Sequence, residues 1–290
     1  MKQFPSLRKR FKDNFLTQGV LMPGVFNALS AKVAQKAGFK ALYISGASLT
    51  ASAGVPDIGL LTLTEWLLFS RYIVNAVDIP CVCDVDTGFG GLIHVSRTVQ
   101  ECEALGLAGI HIEDQISPKR CGHLSGKEVI PIKEMCQKIH AAVLARSDPN
   151  FLIIARTDAR TVEGFDSAIE RAKAYSDAGA DVIFPEALNT PEEFEQFAQK
   201  VNHPLLANMT EFGVSPMMTF QELTAMGYKL VIFPVSALRV AMKSVQNFYD
   251  HLLKTGSQIP FLNAMQTRNE LYDLVEYQKY ADLDEKVARF

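Results

Sequence analysis

The sequence predicts a (β/α)8 barrel, and three observations carry this prediction. Eight short apolar or β-branched segments, each bounded by turn-forming residues, are spread along the 290 residues. Helical hydrophobic patterns lie between them, and several end in a glycine. No linker or low-complexity tract divides the chain. Since one such barrel uses roughly 250 residues, we expect a single domain, residues 1–290, in which residues 236–290 form a C-terminal helical extension.

The predicted strands and helices alternate in chain order. The strands cover residues 19–26, 41–46, 80–86, 109–114, 151–157, 181–186, 204–210 and 229–234. The clearest helices cover residues 29–37, 64–77, 95–105, 133–145, 166–178 and 191–201. A doubly wound sheet shows the same alternation, but it usually has fewer strands, and no glycine-rich dinucleotide loop follows the first strand here. The barrel is therefore favoured over that alternative.

Composition and charge argue against several classes of protein. Hydrophobic residues make up 48% and charged residues 21% of the chain, which is ordinary for a globular protein. The net charge is −3, and apart from a short basic start at residues 8–12, which we expect to be solvated, nothing suggests binding to nucleic acid or a membrane surface. The sequence has no bilayer-spanning apolar run and no secretory signal, and its five scattered cysteines argue against a disulfide framework. We expect a cytoplasmic protein.

Two aspartates close the third predicted strand. Asp84 and Asp86 are two residues apart, so strand alternation places both on one face, at the barrel end where reacting groups gather. Neighbouring carboxylates repel unless they share a proton or a cation, and oxygen ligands favour Mg²⁺ or Mn²⁺ over zinc. Such a pair is more often a turn cap, but its position at a strand end favours a metal site. Asp57 and Glu113 are candidates to hold metal-bound water.

The loop after the fourth strand, residues 117–127, reads SPKRCGHLSGK. Its cations and glycines indicate a lid that closes over an anion. The other four cysteines lie in strand or helix patterns and are expected to be small core residues, whereas Cys121 lies on this polar loop. A merely tolerated loop cysteine is the alternative to a reactive one. Adjacent cations would lower the thiol pKa and a bound polyanion would raise it, so the sequence leaves the protonation state of Cys121 open.

Further residues, most of them polar, close or follow other strands. Guanidinium groups suit substrate carboxylates, and an arginine pointing inward from a strand requires an anionic partner. Any one of these residues could be structural, but together they describe a mouth with a metal, cations, a thiol and hydrogen-bond donors. They are Ser45, Gly46, Arg156, Glu186, Asn208, Met209, Thr210, Arg239 and Arg268.

Several motifs resemble those of the isocitrate lyase and phosphoenolpyruvate mutase superfamily. They are DVDTGFG at residues 84–90, HIEDQ at 111–115, KRCGH at 119–123, ARTDA at 155–159, FPEA at 184–187, NMTEFG at 208–213 and MQTRNELY at 265–272. The resemblance runs over nearly the whole chain, and its cysteine motif is highly specific. Ala47 and residues 124–126 depart from the family pattern, which concerns substrate fine specificity rather than the metal site.

The resemblance implies a role for each residue at the barrel mouth. Asp84 and Asp86 would hold Mg²⁺, with Asp57 and Glu113 around its waters, and Cys121 would be catalytic. Residues 45–47 would bind the α-hydroxyacid part of the substrate, and residues 121 and 122 would face its succinyl part. The full set of implied substrate contacts is Ser45, Gly46, Ala47, Cys121, Gly122, His123, Arg156, Glu186, Asn208, Met209, Thr210, Arg239 and Arg268. Family members swap their last helix between neighbours, usually in tetramers, which would explain the surplus tail at residues 261–290.

The resemblance also implies a carbon–carbon lyase that acts on a small polycarboxylate. Cleavage beside a tertiary alcohol would leave pyruvate and a succinate carbanion, which Cys121 would protonate, with metal-bound hydroxide or a nearby carboxylate as the base. Phosphonopyruvate-type mutases and oxaloacetate decarboxylases of the superfamily lack this cysteine, which argues against both. Arg120 and the length of 290 residues favour methylisocitrate over isocitrate and 2,3-dimethylmalate. The alternative from another class is a non-catalytic regulator that binds a metabolite.

Overall fold

Eight parallel strands form the centre of the molecule in the computed structural model, which describes residues 4–123 and 126–289. The strands are β1 (Val20–Val25), β2 (Leu42–Ile44), β3 (Cys81–Asp84), β4 (Gly109–Glu113), β5 (Leu152–Thr157), β6 (Val182–Pro185), β7 (Leu206–Asn208) and β8 (Leu230–Phe233). Neighbours in the chain pair in parallel from β1 to β6, β7 pairs with β8, and β8 pairs with β1. A parallel bridge between Ile183 and Leu205 joins β6 to β7. The ring is therefore nearly closed, and the predicted (β/α)8 barrel is confirmed.

Helices surround the strands. They are α1 (Phe4–Gln18), α2 (Ala28–Lys36), α3 (Gly46–Ser52), α4 (Leu63–Ala76), α5 (Leu92–Leu105), α6 (Ile132–Ala145), α7 (Ala159–Val162), α8 (Phe165–Asp177), α9 (Pro191–Lys200), α10 (Phe220–Ala225), α11 (Ser236–Thr255), α12 (Arg268–Leu274) and α13 (Tyr277–Ala288), with a 3-10 helix at Ile259–Ala264. All six helices predicted above are present, with ends that differ by a few residues. Among the described residues, no helix is long and apolar enough to cross a membrane.

Side chains of the strands alternate between two apolar clusters. In β3, Cys81 and Cys83 pack outward against the helices, while Val82 belongs to the cluster inside the barrel. The same alternation places Leu152 and Ile154 of β5 inside. Residues of that parity farther along each strand therefore point into the barrel mouth, which is how Asp84, His111, Glu113 and Arg156 come to face one another.

The helix α1 closes the amino-terminal end of the barrel. Phe11 and Phe15 are buried in the interior cluster. Arg8 is also buried, donates from Nε to the Leu107 carbonyl at 2.7 Å and lies over the Phe151 ring at 5.4 Å. The expectation that this basic segment is merely solvated is therefore wrong for Arg8. Its charge is paired by groups distant in the sequence, and an amphipathic helix buries its apolar side.

After β8 the chain leaves the barrel. The 20-residue helix α11 buries only Leu238, and its exposed apolar residues include Val240, Met242, Tyr249 and Leu253. An apolar cavity of about 770 Å³ lies between α2 and the first turns of α11. It is lined by Leu21, Pro23, Phe26, Val33, Phe39, Phe233 and Ala241, among others. Helix α12 then returns to pack against the outside of α2.

Candidate active site

Asp84 and Asp86 lie together at the carboxyl end of β3, and both are almost fully buried. Asp84 ends the strand, whereas Asp86 follows it in the left-handed region with φ 48°. The Asp86 N–H donates to Asp84 Oδ1 at 2.9 Å. The sequence predicted that strand alternation would bring the carboxylates together, but the strand ends at Asp84 and a turn does so instead.

The pKa values of the two carboxyl groups are driven apart. Burial raises the pKa of Asp86 to about 6, against the opposing charge of Lys119. Burial also acts to raise the pKa of Asp84, but His111, with Nε2 at 3.2 Å from Oδ1, and Lys119 hold it well below its usual range. Close carboxylates in a buried site cannot both ionise freely, and a divalent cation relieves this repulsion.

Glu113 is fully buried beside this pair. Neither of its carboxylate oxygens accepts a hydrogen bond from a described residue, and Arg156 Nη1 lies 3.3 Å from Oε2. Burial raises the pKa of Glu113 well above its usual range. A buried carboxylate of this kind requires water or a cation to complete its hydrogen bonding.

These residues fit a hard divalent cation. Within the described ranges, no three His, Cys, Asp or Glu side chains converge closely enough to form a ligand set of protein groups alone. Mg²⁺ does not need one, because it is usually held by one or two carboxylates, with water and substrate oxygens completing its octahedron. Asp84 and Asp86 supply such a pair, and Glu113 beside them accepts no hydrogen bond from any residue that the structure describes. Lys119 connects Asp57 to this pair. Its Nζ contacts Asp57 and lies 2.9 Å from Asp86 Oδ1.

Arg156 is the central cation of the mouth, and it is buried. Its Nε and Nη2 donate to Asp158 Oδ2 and Oδ1 at 2.9 and 3.0 Å. Its Nη1 lies 3.3 Å from Glu113 Oε2 and 3.3 Å from Glu186 Oε2. An arginine inside a barrel requires anionic partners, as the sequence predicted, and here three carboxylates surround it. The capacity of its guanidinium group to donate further hydrogen bonds suits a substrate carboxylate.

Glu186 joins Arg156 to the cysteine loop. His123 Nε2 lies 3.0 Å from Glu186 Oε1, and Asn208 Nδ2 donates to both Glu186 oxygens at 3.3 Å. Burial acts to raise the pKa of Glu186, but Arg156 and His123 hold it well below its usual range. Glu186 is thus a fixed anion that orients its neighbours.

Cys121 lies half-buried next to this group. Burial raises the pKa of its thiol above the ordinary value, against the lowering effect of the His123 backbone and of Arg156. The thiol is therefore neutral at pH 7, the state that the sequence left open. A Cβ on Gly122 would lie 2.3 Å from Arg156 Nη2 and 2.6 Å from Glu186 Cγ, so only glycine allows this close approach.

The segment after β2 lies on the other side of the carboxylate pair. The Gly46 N–H donates to Asp84 Oδ2 at 3.1 Å, and a Cβ at this position would lie 2.6 Å from the same oxygen. Ser45 caps the N-terminus of α3 by accepting from the Ser48 N–H. Ala47, in the first turn of that helix, is half-buried. This segment therefore presents small residues and a helix N-terminus beside Asp84.

Three predicted contact residues point elsewhere within this chain. The Met209 side chain packs in the outer apolar cluster, although the neighbouring Thr210 is buried at the end of β7. Arg239 pairs with Glu211 Oε2 at 3.1 Å. Arg268 is exposed at the start of α12, on the outside of the barrel. Leu124 and Ser125, where the sequence departs from the family pattern, lie outside the described residues.

Sequence reasoning missed several residues of the site. Tyr43 OH lies 2.5 Å from His111 Nε2, and its inward strand parity was the available signal. Asp158, fully buried, holds both Arg156 and Lys127, and its position two residues after Arg156 at a strand end could have indicated it. Gln115 has no such signal, because its partner is a loop backbone.

A barrel that concentrates buried charged groups at the carboxyl ends of its strands is an enzyme of the (β/α)8 class, since such groups contribute little to folding stability. Within that class the chain belongs to the phosphoenolpyruvate phosphomutase family, which it matches over residues 11–253.

Individual relatives extend this match. The chain is 50% identical over 270 residues to a 2-methylisocitrate lyase of Aeropyrum pernix, covering 93% of this chain and 87% of that one. It is 45% identical over 284 residues to a 2-methylisocitrate lyase of Bacillus subtilis, covering 98% and 94%. Among solved structures, a 2,3-dimethylmalate lyase superposes with TM-score 0.91 at 35% identity, covering 99% and 96%. A phosphonopyruvate hydrolase in complex with oxalate and Mg²⁺ superposes with TM-score 0.87 at 30% identity, covering 98% and 99%.

Proposed function

We propose that this chain is a Mg²⁺-dependent carbon–carbon lyase that cleaves 2-methylisocitrate into pyruvate and succinate in the cytoplasm, a step of the methylcitrate cycle of propionate catabolism. The observation that carries the proposal is the half-buried Cys121, whose neighbour Gly122 packs against Arg156 and Glu186, in a barrel mouth that also holds the buried carboxylate pair Asp84 and Asp86. A proton donor, a carboxylate-binding cation and a place for a divalent metal are the groups that this cleavage requires. The names of the two relatives described above support the same substrate.

The metal site is part of the proposal. Asp84 and Asp86 would hold Mg²⁺ (Mn²⁺ being the other candidate), with Asp57 and Glu113 around its waters. When bound, the ion would act as a Lewis acid that acidifies the substrate hydroxyl and stabilises the resulting charge. The phosphonopyruvate hydrolase complex with Mg²⁺ and oxalate supports a divalent ion in this fold.

The chain's own residues would bind the substrate and supply the proton. Ser45, Gly46 and Ala47 bind the α-hydroxyacid part, and Gly122 faces the succinyl part. Arg156 fixes a carboxylate, and the Cys121 thiol donates its proton to the carbon left by the cleaved bond. Further contacts come from His123, Glu186, Asn208, Met209 and Thr210. Of these, Met209 would contribute through its backbone, because its side chain is in the core.

Arg239 and Arg268 point away from the site of their own chain, which bears on the oligomeric state. We propose a homotetramer, a pair of dimers that exchange α11, in which a second copy's α11 covers the apolar cavity beside α2. Support comes from α11 itself, which buries only Leu238 of its own apolar residues. The exchange would also explain why the exposed Arg268 lies apart from the site of its own chain.

The substrate preference rests on a small free-energy difference. Recognition of one methyl group is worth roughly 1–3 kcal/mol, so activity on isocitrate would be reduced rather than abolished. Structural similarity to a 2,3-dimethylmalate lyase makes that substrate the second candidate.

One substrate panel tests the proposal. Purified protein with Mg²⁺ is supplied in turn with 2-methylisocitrate, isocitrate, 2,3-dimethylmalate and oxaloacetate, with and without EDTA, and product release is followed. We expect pyruvate from 2-methylisocitrate well ahead of product from the others, and none with EDTA. Faster turnover of another substrate would contradict the proposed specificity. No turnover of any of them would favour a non-catalytic metabolite-binding regulator.

A further inference from the structure

Two buried side chains form hydrogen bonds with the backbone on either side of Cys121. The first is Gln115, which is almost fully buried directly after β4. Its Nε2 donates to the Arg120 carbonyl at 2.8 Å, and its Oε1 accepts from the Arg120 N–H at 2.8 Å. The amide therefore occupies both backbone hydrogen-bonding groups of the residue that precedes the cysteine, as a neighbouring strand would.

The second is Lys127, whose side chain is buried to the same extent. Its Nζ lies 2.8 Å from Asp158 Oδ1 and also donates to the Gly122 carbonyl, on the residue that follows the cysteine. Asp158 is itself fixed, because Arg156 donates to both of its oxygens and its N–H donates to Asp114 Oδ1 at 2.8 Å. Lys127 thus connects the loop to a buried, hydrogen-bonded aspartate of the barrel.

Among the described residues, neither side chain forms a hydrogen bond with the Cys121 side chain, and neither belongs to the proposed metal or substrate groups. A loop held only by its own turn opens readily, whereas each buried hydrogen bond to the barrel resists opening, and those from the charged Lys127 resist it more. Catalytic groups lose about 10²-fold in rate when they are misplaced by about 1 Å. We propose that Gln115 and Lys127 are positioning residues that keep residues 120–122 in place and so aim the Cys121 thiol at Arg156. The catalytic consequence rests on the proposed function, but the effect on loop opening does not.

The test replaces each residue with an apolar side chain of similar shape, Gln115→Met or Lys127→Met, in the full-length enzyme with Mg²⁺. The rate of Cys121 alkylation by iodoacetamide is measured by peptide mass spectrometry. The chain offers a matched control in Lys12, whose Nζ also bridges a carbonyl and an aspartate, Pro149 O at 3.0 Å and Asp181 Oδ1 at 3.1 Å, at the opposite end of the barrel.

We expect Cys121 to be alkylated about tenfold faster in both variants, because the loop opens more often, and at the wild-type rate in Lys12→Met. With 2-methylisocitrate, kcat should fall about 10- to 100-fold with a smaller change in KM, because proton delivery is disturbed more than binding. Mg²⁺ affinity should not change. Wild-type alkylation rates in both folded variants would overturn the proposal.

Two further outcomes remain informative. If Lys127→Met fails to fold because it leaves Asp158 with one cation fewer, the uncharged Gln115→Met decides alone. If the wild-type protein turns over none of the substrates, the proposed function fails, while faster alkylation in the variants would still support the positioning role.

Discussion

At the scale of the residue, burial sets the behaviour of Cys121 more strongly than charge does. Arg156 and the His123 backbone lower the thiol pKa, but loss of hydration outweighs them and raises it. A cysteine on a loop rich in cations would be expected to be a thiolate nucleophile. In this environment the thiol keeps its proton, which is the form that the proposed cleavage requires of a donor.

Replacing Cys121 with serine tests that role. We expect Cys121→Ser to lose about two to four orders of magnitude in kcat, the usual contribution of general acid catalysis, because a hydroxyl is a far weaker acid. Mg²⁺ binding, measured by titration calorimetry, should be unchanged. The matched control is Cys136→Ser on α6, whose sulfur donates to the Ala174 carbonyl at 3.6 Å outside the barrel. Full activity of Cys121→Ser would remove the thiol from the mechanism.

The raised thiol pKa also predicts the alkaline side of the pH profile. The donor is active while protonated, so its contribution is complete at low pH and is lost only as the pH rises through the raised pKa. An ordinary cysteine would titrate at about 8.5. We therefore expect the limb assigned to Cys121, measured as kcat against pH, to lie above that value. The pH dependence of Cys121 alkylation should give the same midpoint. A shared midpoint near pH 7 would contradict the burial argument.

At the scale of the element, one buried aspartate joins β4, β5 and α8. Asp114 accepts from Thr157 Oγ1 at 2.8 Å and from Tyr175 OH at 2.7 Å, and Arg171 Nη1 lies 3.3 Å from its Oδ2. Arg171 also donates to the Ile130 carbonyl at 2.8 Å. These contacts hold Asp114 and Ile130, which lie at the two ends of the segment that contains the cysteine loop.

Removing the cation from this cluster should weaken the whole fold. Arg171→Met leaves Asp114 buried without its cation, and breaking a buried pair in this way costs about 3–5 kcal/mol in the free energy of unfolding. Urea denaturation measures this change in the free energy of unfolding. The control is Arg97→Met, which removes an exposed arginine 3.8 Å from Glu101 and should have no measurable effect. Equal midpoints for the two variants would show that the Asp114 cluster contributes nothing.

Elements with a local signal could be predicted from the sequence, and those that depend on distant partners could not. All eight strands were found because apolar, β-branched runs between turn residues mark buried parallel strands. The burial of Arg8 could not be found, because its partners are at residues 103, 107 and 148. The turn at Asp86 and the direction of the Arg239 side chain could not be predicted either, because tertiary contacts determine both. Strand parity predicted the inward orientation of Glu113 and Arg156.

At the scale of the whole molecule, a single chain leaves apolar surface that a barrel normally covers with its eighth helix. The cavity beside α2 and the apolar residues of α11 are both uncovered. Exposed apolar surfaces of this kind favour contact with another molecular surface, such as that of a second protein chain. This agrees with the proposed exchange of α11 between copies.

A charge placed in the cavity should break the oligomer. Val33 lines the cavity and is 45% exposed in the single chain. We expect Val33→Glu to shift the protein from tetramer towards monomer, because a carboxylate would be buried against the incoming helix. Sedimentation velocity measures the change. Leu144→Glu, at a residue on α6 that is 71% exposed, is the matched control and should remain a tetramer. A tetrameric Val33→Glu would rule out this cavity as the contact.

The amphipathic helix α1 bears on where reactants enter the barrel and where products leave it. Because Phe11 and Phe15 close the amino-terminal end of the barrel, we expect a molecule that reacts near Cys121 to enter and leave at the opposite end. If one molecule is split into two there, the fragment nearer that open end is expected to leave first. The proposed cleavage would then release its two products in a fixed order that the closed end of the barrel imposes.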